Sequence, residues 1–367
     1  MLYKYNNSYI KINNGIQYLR LNEKNYYSTG YAYGTLLLKS KNPIIKFLKK
    51  RFVKIILSII YSITKRHYKF IRIPKEYLEE IRGYADSTGI SYNHLFCVNF
   101  CFDVLKRYGF HCSTISFFNK NSVLIGRNTD LLPFLTKSAL KYAKSIVIDI
   151  SIPKKRRFTH VSIPLLIGVL NGFNDKGIAV NSHQILYVKE DTKENNLATH
   201  LLMRMLLENI SNLKDGELFI KNNITMRSLN LVLTSEKEKK SIIFEINPSK
   251  INLIESNGPL CCTTHFESKE MQKFHNGPIK SSQIRLKSMN CLVDKYNQIT
   301  YKDLINILKD YSNGLENKGT GKSLTNEGTY QSFVFDLTNN IILISNGNKK
   351  PVSLTGEYVK LKLNNGN

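Results

Sequence analysis

The sequence predicts an α+β fold in which antiparallel sheets are covered by helices, and two observations carry that prediction. Short runs rich in β-branched residues come in groups, separated by groups of longer amphipathic segments, whereas a doubly wound fold alternates single strands with single helices. Many of the runs are joined by tight polar turns such as Ser235-Glu236-Lys237, which suit hairpins and are too short for parallel crossovers. With 367 residues and 42% hydrophobic content, the chain is long enough to bury a full core, as one large domain or two ordinary ones.

After a short opening strand or two, the chain reads as mainly helical up to about Tyr108. Ile45, Leu48, Phe52, Ile55, Ile59 and Ile63 follow one another at three- and four-residue steps, with Lys46, Lys50, Lys54, Ser58 and Ser62 in the opposite row. That spacing predicts a basic amphipathic helix over residues 44–63. A second helix spans residues 75–87 and stops at Gly89; a third, capped by Asn93, runs through Leu95, Val98 and Phe100 to Leu105. From Ser113 the texture changes. Residues 114–118, 123–126, 145–152 and 178–182 read as strands bounded by Gly, Asn, Asp or Pro. Helices are expected over 196–210, 281–296 and 301–311, and further strands over 229–234, 241–247, 331–336 and 341–345. The Gly/Asn/Lys-rich stretch 312–328 reads as a mobile loop.

The formal charge is +25, from 53 Lys+Arg against 28 Asp+Glu. Such a balance favours anionic partners. Between Lys39 and Lys75 there are twelve basic residues and no carboxylate, so nearly half of the excess sits in one segment. For the helix at 44–63 the first expectation is a stripe packed on the core with a solvated charged face. The second is a helix lying in an anionic membrane surface. Nucleic acid comes third, because the segment has no binding motif and its aromatic residues form no stacking platform. The opening residues break every apolar run with Lys, Asn or Arg, so neither a signal peptide nor a membrane span is expected. Cys97, Cys101, Cys112, Cys261, Cys262 and Cys291 lack the spacing of a disulfide scaffold or a zinc ribbon, which suits a reducing, cytoplasmic compartment. The pair Cys261-Cys262 with His265 is a poor tetrahedral site, because adjacent cysteines do not readily reach one ion. No metal or cofactor is assigned. His200, like His183 and His265, reads as structural or substrate-lining.

The chemistry-bearing candidate is the junction Gly109-Phe110-His111-Cys112-Ser113-Thr114-Ile115, where the helical part gives way to the sheet part. If residues 114–118 and 123–127 form a hairpin across Asn119-Lys120-Asn121, Arg127 and Asp130 come to lie beside Cys112. By contrast Cys97, Cys101 and Cys291 fall within apolar helices and read as structural thiols.

These residues belong to a longer pattern. Gly30-Tyr31-Ala32-Tyr33-Gly34 and Tyr77-Leu78-Glu79-Glu80-Ile81-Arg82-Gly83-Tyr84-Ala85 precede the cysteine; Gly126-Arg127-Asn128-Thr129-Asp130 and Asn171-Gly172-Phe173-Asn174-Asp175-Lys176-Gly177-Ile178-Ala179 follow it. Thr263-Thr264-His265-Phe266, Ser281-Ser282-Gln283-Ile284-Arg285 and Thr329-Tyr330-Gln331-Ser332 come next, in order. Each is weak alone, but their order and spacing together resemble the cysteine-type N-terminal-nucleophile hydrolases: the isopenicillin N acyltransferase, acid ceramidase and N-acylethanolamine amidase group, related to the choloylglycine hydrolases.

The resemblance implies a four-layer αββα sandwich of antiparallel sheets, with residues 1–111 as a mainly helical propeptide segment and 112–367 as the catalytic segment. It implies self-cleavage between His111 and Cys112, after which the chain holds its own cleaved N-terminal segment as partner. The freed cysteine supplies both nucleophile and base, since an α-amine titrates at about 7.7–8.0. The implied substrate is a linear acyl amide or acyl donor, lipid-like if residues 44–63 meet a membrane, and the intermediate an acyl-thioester. Asp130 would hold the amine, Arg127 would lie near the sulfur, and Arg285 would complete the cluster. Relatives use an asparagine amide for the oxyanion where this chain has Thr264, with a backbone amide near His183 or Gln184. Thr264 and the bulky His111 depart from the pattern. An alternative is a non-catalytic basic protein that binds membrane or nucleic acid on the same scaffold.

Overall fold

The computed structural model describes residues 1–105, 111–192, 195–256, 258–317 and 321–363. The helical reading of residues 106–108, the Gly109-Phe110 part of the junction and residues 318–320 of the expected loop lie outside the described residues. The chain forms two compact units, one of residues 1–108, 142–176 and 192–227, the other of 109–141, 177–191 and 228–367.

In the first unit, strands Leu2–Tyr5, Ser8–Asn13, Ile16–Asn22, Ile146–Ser151, Phe158–Ser162 and Asn171–Asn174 lie side by side in that order. All pairs are antiparallel except Ile16–Asn22 with Ile146–Ser151. Helix Tyr26–Lys39 packs against this sheet and against helix Lys75–Thr88, which ends at Gly89 with φ 67° as expected. Two glycines set the helix crossing. A Cβ at Gly30 would stand 1.9 Å from the Glu80 carbonyl oxygen, and one at Gly83 would stand 2.0 Å from that of Tyr27. The two backbones therefore touch, and any side chain at either position forces them apart.

That close approach delivers Glu80 to a buried ion cluster. Arg204, on helix Thr199–Asn209, pairs with Glu80 at 2.6 Å and Glu208 at 2.9 Å, and donates to the Ile167 carbonyl at 2.7 Å. Tyr26 and Tyr77 hydroxyls donate to the far oxygen of Glu208 at 2.9 and 2.6 Å. Burial pushes the Glu80 carboxyl up, and the Arg204 guanidinium opposes it.

The segment at 44–63 departs from the expected single helix. It breaks into Pro43–Leu48 and Arg51–Tyr68, and its apolar stripe divides with it. Ile44, Ile45 and Leu48 are buried, but Phe52, Ile55, Ile56, Ile59 and Ile63 are 50% to 62% exposed. The longer helix is anchored instead through Val53, Thr64 and Tyr68, with Tyr68 edge-on to Phe96 of helix Tyr92–Val104 at 4.8 Å. Aromatic packing on one side of the helix thus outcompetes the isoleucine stripe, which turns outward.

The second unit contains two antiparallel sheets. One has the order Leu260–Cys262, His111–Phe118, Val123–Asp130, Thr329–Asp336, Ile341–Asn346, Glu357–Lys362. The other contains Ile178–Gln184, Leu229–Ser235, Lys240–Asn247 and Lys250–Ser256. The sheets face each other, with the Ser116 and Thr234 hydroxyls 3.2 Å apart. On its other face the first sheet buries Ile115, Phe117, Leu124 and Val334 against Met289 of helix Lys280–Val293 and Leu304 of helix Tyr301–Leu308. The latter helix starts in a capping box at Thr300. Helix on sheet in one unit, and sheet on sheet on helix in the other, give the expected α+β class of antiparallel sheets covered by helices.

The stretch 312–328 is also not the loose loop expected. Ser323, Leu324, Thr325 and Asn326 are fully buried, and Thr325 donates to the Leu308 carbonyl at 2.6 Å. Its polar composition reflects side chains that satisfy buried backbone.

Replacing Arg204 by Met leaves Glu80 and Glu208 buried without their counter-ion. We expect a loss of about 3–5 kcal/mol, read as a lower urea midpoint with unchanged slope.

Candidate active site

The expected hairpin exists and sets the site. Strands His111–Phe118 and Val123–Asp130 pair with Cys112 opposite Thr129, Thr114 opposite Arg127 and His111 opposite Asp130. Side chains alternate along each strand, so Cys112, Thr114, Arg127 and Thr129 share the face turned to the other sheet.

Arg127 is fully buried and its donors are spent locally. Nη2 donates to the Cys112 sulfur at 2.9 Å and to the Ser182 carbonyl at 2.6 Å; Nη1 donates to Thr114 Oγ1 at 3.1 Å and Nε to Thr129 Oγ1 at 3.3 Å. His183 Nε2 lies 3.4 Å from Nη1. Burial and the neighbouring guanidinium hold the His183 imidazole well below its ordinary range, so it is neutral and Nε2 accepts. Burial pushes the Cys112 thiol up, while Arg127 pulls it down.

Asp130 and Arg285 lie around the strand end rather than against the sulfur. Asp130 accepts from Asn326 Nδ2 and Thr329 Oγ1, both at 2.8 Å. Its carboxyl is raised to about 6 by burial, with Arg285 and these two donors opposing. Arg285 is fully buried, donates to the Gly321 carbonyl, and donates through Nη2 to Thr264 Oγ1 at 3.2 Å. Both act on the thiol through their charge, Asp130 raising and Arg285 lowering its pKa. His111 is buried, and burial with the Arg285 charge lowers its imidazole to about 3.

The Thr264 amide donates to Ser282 Oγ at 3.0 Å, and its hydroxyl lies 3.3 Å from the same oxygen. Ser282 in turn contacts His265 Nδ1 at 2.8 Å and Thr263 Oγ1 at 2.9 Å. A small recess opens here, lined by His111, Tyr187, Thr264, His275, Ile279 and Ser282. In its wall, His111 Nδ1 is buried with no hydrogen-bond partner among the described residues, and so is Gln184 Oε1 on strand Ile178–Gln184. The geometry therefore joins a buried thiol to a cation that touches it, and puts His111, the residue before the thiol, in the wall of the opening.

Sequence reasoning missed Thr114, Thr129 and Ser182, which seat Arg127, and Asn326, which seats Asp130. The first two follow from hairpin register. Asn326 was hidden in a stretch whose composition reads as loop.

A family model described as acyl-coenzyme A:6-aminopenicillanic acid acyl-transferase matches residues 117–351. A search of the curated proteins found no significant match. Among solved structures, the chain is similar to the N-acylethanolamine-hydrolyzing acid amidase ortholog of Caenorhabditis elegans, with 12% identity, TM-score 0.44, and coverage of 69% of this chain and 100% of that one. It is also similar to a mutant of the conjugated bile acid hydrolase of Clostridium perfringens, with 15% identity, TM-score 0.45, and coverage of 69% and 97%.

Asn326→Leu strips Asp130 of one donor in a site without water contact. We expect a destabilisation of about 1–3 kcal/mol at neutral pH by urea titration.

Proposed function

The chain belongs to the acyl-coenzyme A:6-aminopenicillanic acid acyl-transferase family of N-terminal-nucleophile enzymes, and from that premise we propose that it cuts itself between His111 and Cys112 and then cleaves or transfers acyl amides through a thioester on Cys112. The observation that carries the reading is the 2.9 Å contact from Arg127 to the Cys112 sulfur at the start of a strand.

In the self-cleavage step, the Cys112 sulfur attacks the His111 carbonyl carbon. The S–C bond forms, the C–N bond breaks, and the thiol proton passes to the departing nitrogen. Water then hydrolyses the thioester, leaving a carboxylate on His111 and a free thiol and α-amine on Cys112. In turnover, that amine takes the thiol proton, the sulfur attacks the substrate acyl carbon, and the leaving amine carries the proton away. Water resolves the acyl-thioester in a hydrolase; an amine or thiol acceptor resolves it in a transferase. Asp130 holds the new amine, and Arg127 favours the thiolate. Thr264, whose hydroxyl accepts from Arg285 and donates to Ser282 Oγ at 3.3 Å, would turn that proton from Ser282 to an oxyanion, together with a backbone amide near His183 or Gln184. Once His111 is displaced, the space of its imidazole joins the recess beside Tyr187 and Ile279, which suits an apolar acyl group.

Intact mass and N-terminal sequencing test the first step. Fragments of 111 and 256 residues, from 367 less 111, are expected from wild type, the second beginning Cys-Ser-Thr-Ile, and neither from Cys112→Ala. An uncut wild-type chain overturns the proposal in favour of a non-catalytic binding protein. In a cutting enzyme, Thr264→Ala should lower kcat about 10²-fold or more, with Thr264→Asn retaining activity.

The rate of self-cleavage should fall as pH drops below about 6, where Asp130 takes up its proton and can no longer stabilise the amine that leaves on Cys112. Because its folded pKa lies above the ordinary carboxylate value, protonation of Asp130 stabilises the fold on the acid side. Its stability contribution is complete below the unfolded value and lost as pH rises through about 6. A rate loss at pH 5 with a higher melting temperature would separate the two effects, and Asp130→Asn should remove the acid limb.

A further inference from the structure

Helix Arg51–Tyr68 keeps its apolar side outward although the segment is joined to a buried neighbour. At about 100° per residue, Phe52, Ile55, Ile56, Ile59 and Ile63 fall in one arc of roughly 100°. Arg51, Lys54 and Lys65 are exposed along one edge of that arc, with Ser58 and Ser62 between them; Val53, Thr64 and Tyr68, on the other edge, face the protein. No carboxylate occurs from Lys39 to Lys75. Among the described residues, no helix is long and apolar enough to cross a membrane.

We propose that this face docks on an anionic lipid bilayer, with the isoleucines and Phe52 entering the interface and the flanking lysines and arginines on lipid phosphates. Two features on the helix select this occupant. An apolar stripe of five large side chains needs an apolar partner, which a polyphosphate groove does not offer. The basic border needs a negative partner, and a second copy of the same helix would instead bring two wholly basic surfaces together. The helix is amphipathic about its own axis and lies flat, its polar edge staying in the headgroup layer. The proposal stands independently of the chemistry at Cys112.

The test is vesicle sedimentation of the full chain, as wild type and as Cys112→Ala, with phosphatidylcholine vesicles against vesicles that also contain phosphatidylserine. Both chains should bind the anionic vesicles and release them as salt is raised. Lys54→Ser with Lys65→Ser should weaken partitioning roughly 25-fold, at about fivefold per charge near the surface. Ile55→Asn with Ile59→Asn should abolish it, with an unchanged melting temperature because both positions are exposed. Failure of the wild-type chain to bind anionic vesicles overturns the proposal. So does binding that survives the isoleucine changes while single-stranded DNA binds equally well, which assigns the surface to nucleic acid. A dimer in sedimentation equilibrium that the isoleucine changes dissolve overturns it in favour of a second copy.

Discussion

A guanidinium removed from water has to find every partner inside the protein, and at Arg127 that demand fixes the second unit. Its hydrogen bonds reach its own strand at Thr129, the neighbouring strand at Thr114 and Cys112, and the facing sheet at Ser182. An unmet buried cation costs several kcal/mol, so the hairpin register and the sheet separation are held together by one side chain. A slip of one residue would carry Arg127 to the helix-facing side and strand it among Ile115, Leu124 and Leu304. Gly126 enforces the same register from behind. A Cβ there would stand 2.7 Å from Leu304, lifting its helix off the sheet.

The charges around Cys112 oppose one another across a few ångströms. Burial, the largest influence, and Asp130 push the thiol pKa up, against Arg127, Thr129 and Arg285, which pull it down. His183, kept neutral by the same burial, is a hydrogen-bond acceptor for Arg127 rather than a further cation. The sulfur therefore sits protonated beside a cation. A base arriving at that spot shifts the balance, because the guanidinium is already in place for the thiolate.

Much of this was legible in the sequence, for identifiable reasons. The hairpin could be read because its strands are β-branched and its turn is polar, and Cys112 and Arg127 come together through strand pairing alone. The stop at Gly89 and the start at Thr300 follow from local backbone chemistry. What escaped depends on tertiary context. Phe158–Ser162 and Asn171–Asn174 carry buried polar side chains such as His160 and Asn174, so their strands lack the apolar alternation that marks one. Gly30 and Gly83 stood out only as parts of a resemblance; their reason is a helix contact between residues fifty-three positions apart, Gly83 less Gly30. Periodicity disclosed the apolar stripe over residues 44–63 but not its direction, since it cannot weigh that stripe against Tyr68 and Val53 on the adjoining face.

The same distinction governs the charge. Arg127, Arg204, Arg227 and Arg285 are among the largest fully buried side chains, whereas the lysines of residues 39–75 line the outside. Arginine suits the interior because its planar fork spends several donors at fixed angles on carbonyls and carboxylates; lysine suits the surface because its compact ammonium stays hydrated on a flexible stem. A formal charge of +25 adds these populations together although only the second faces solvent. The buried arginines act over a few ångströms, on a sulfur and on carboxylates. The outer lysines act through solvent, over the Debye length.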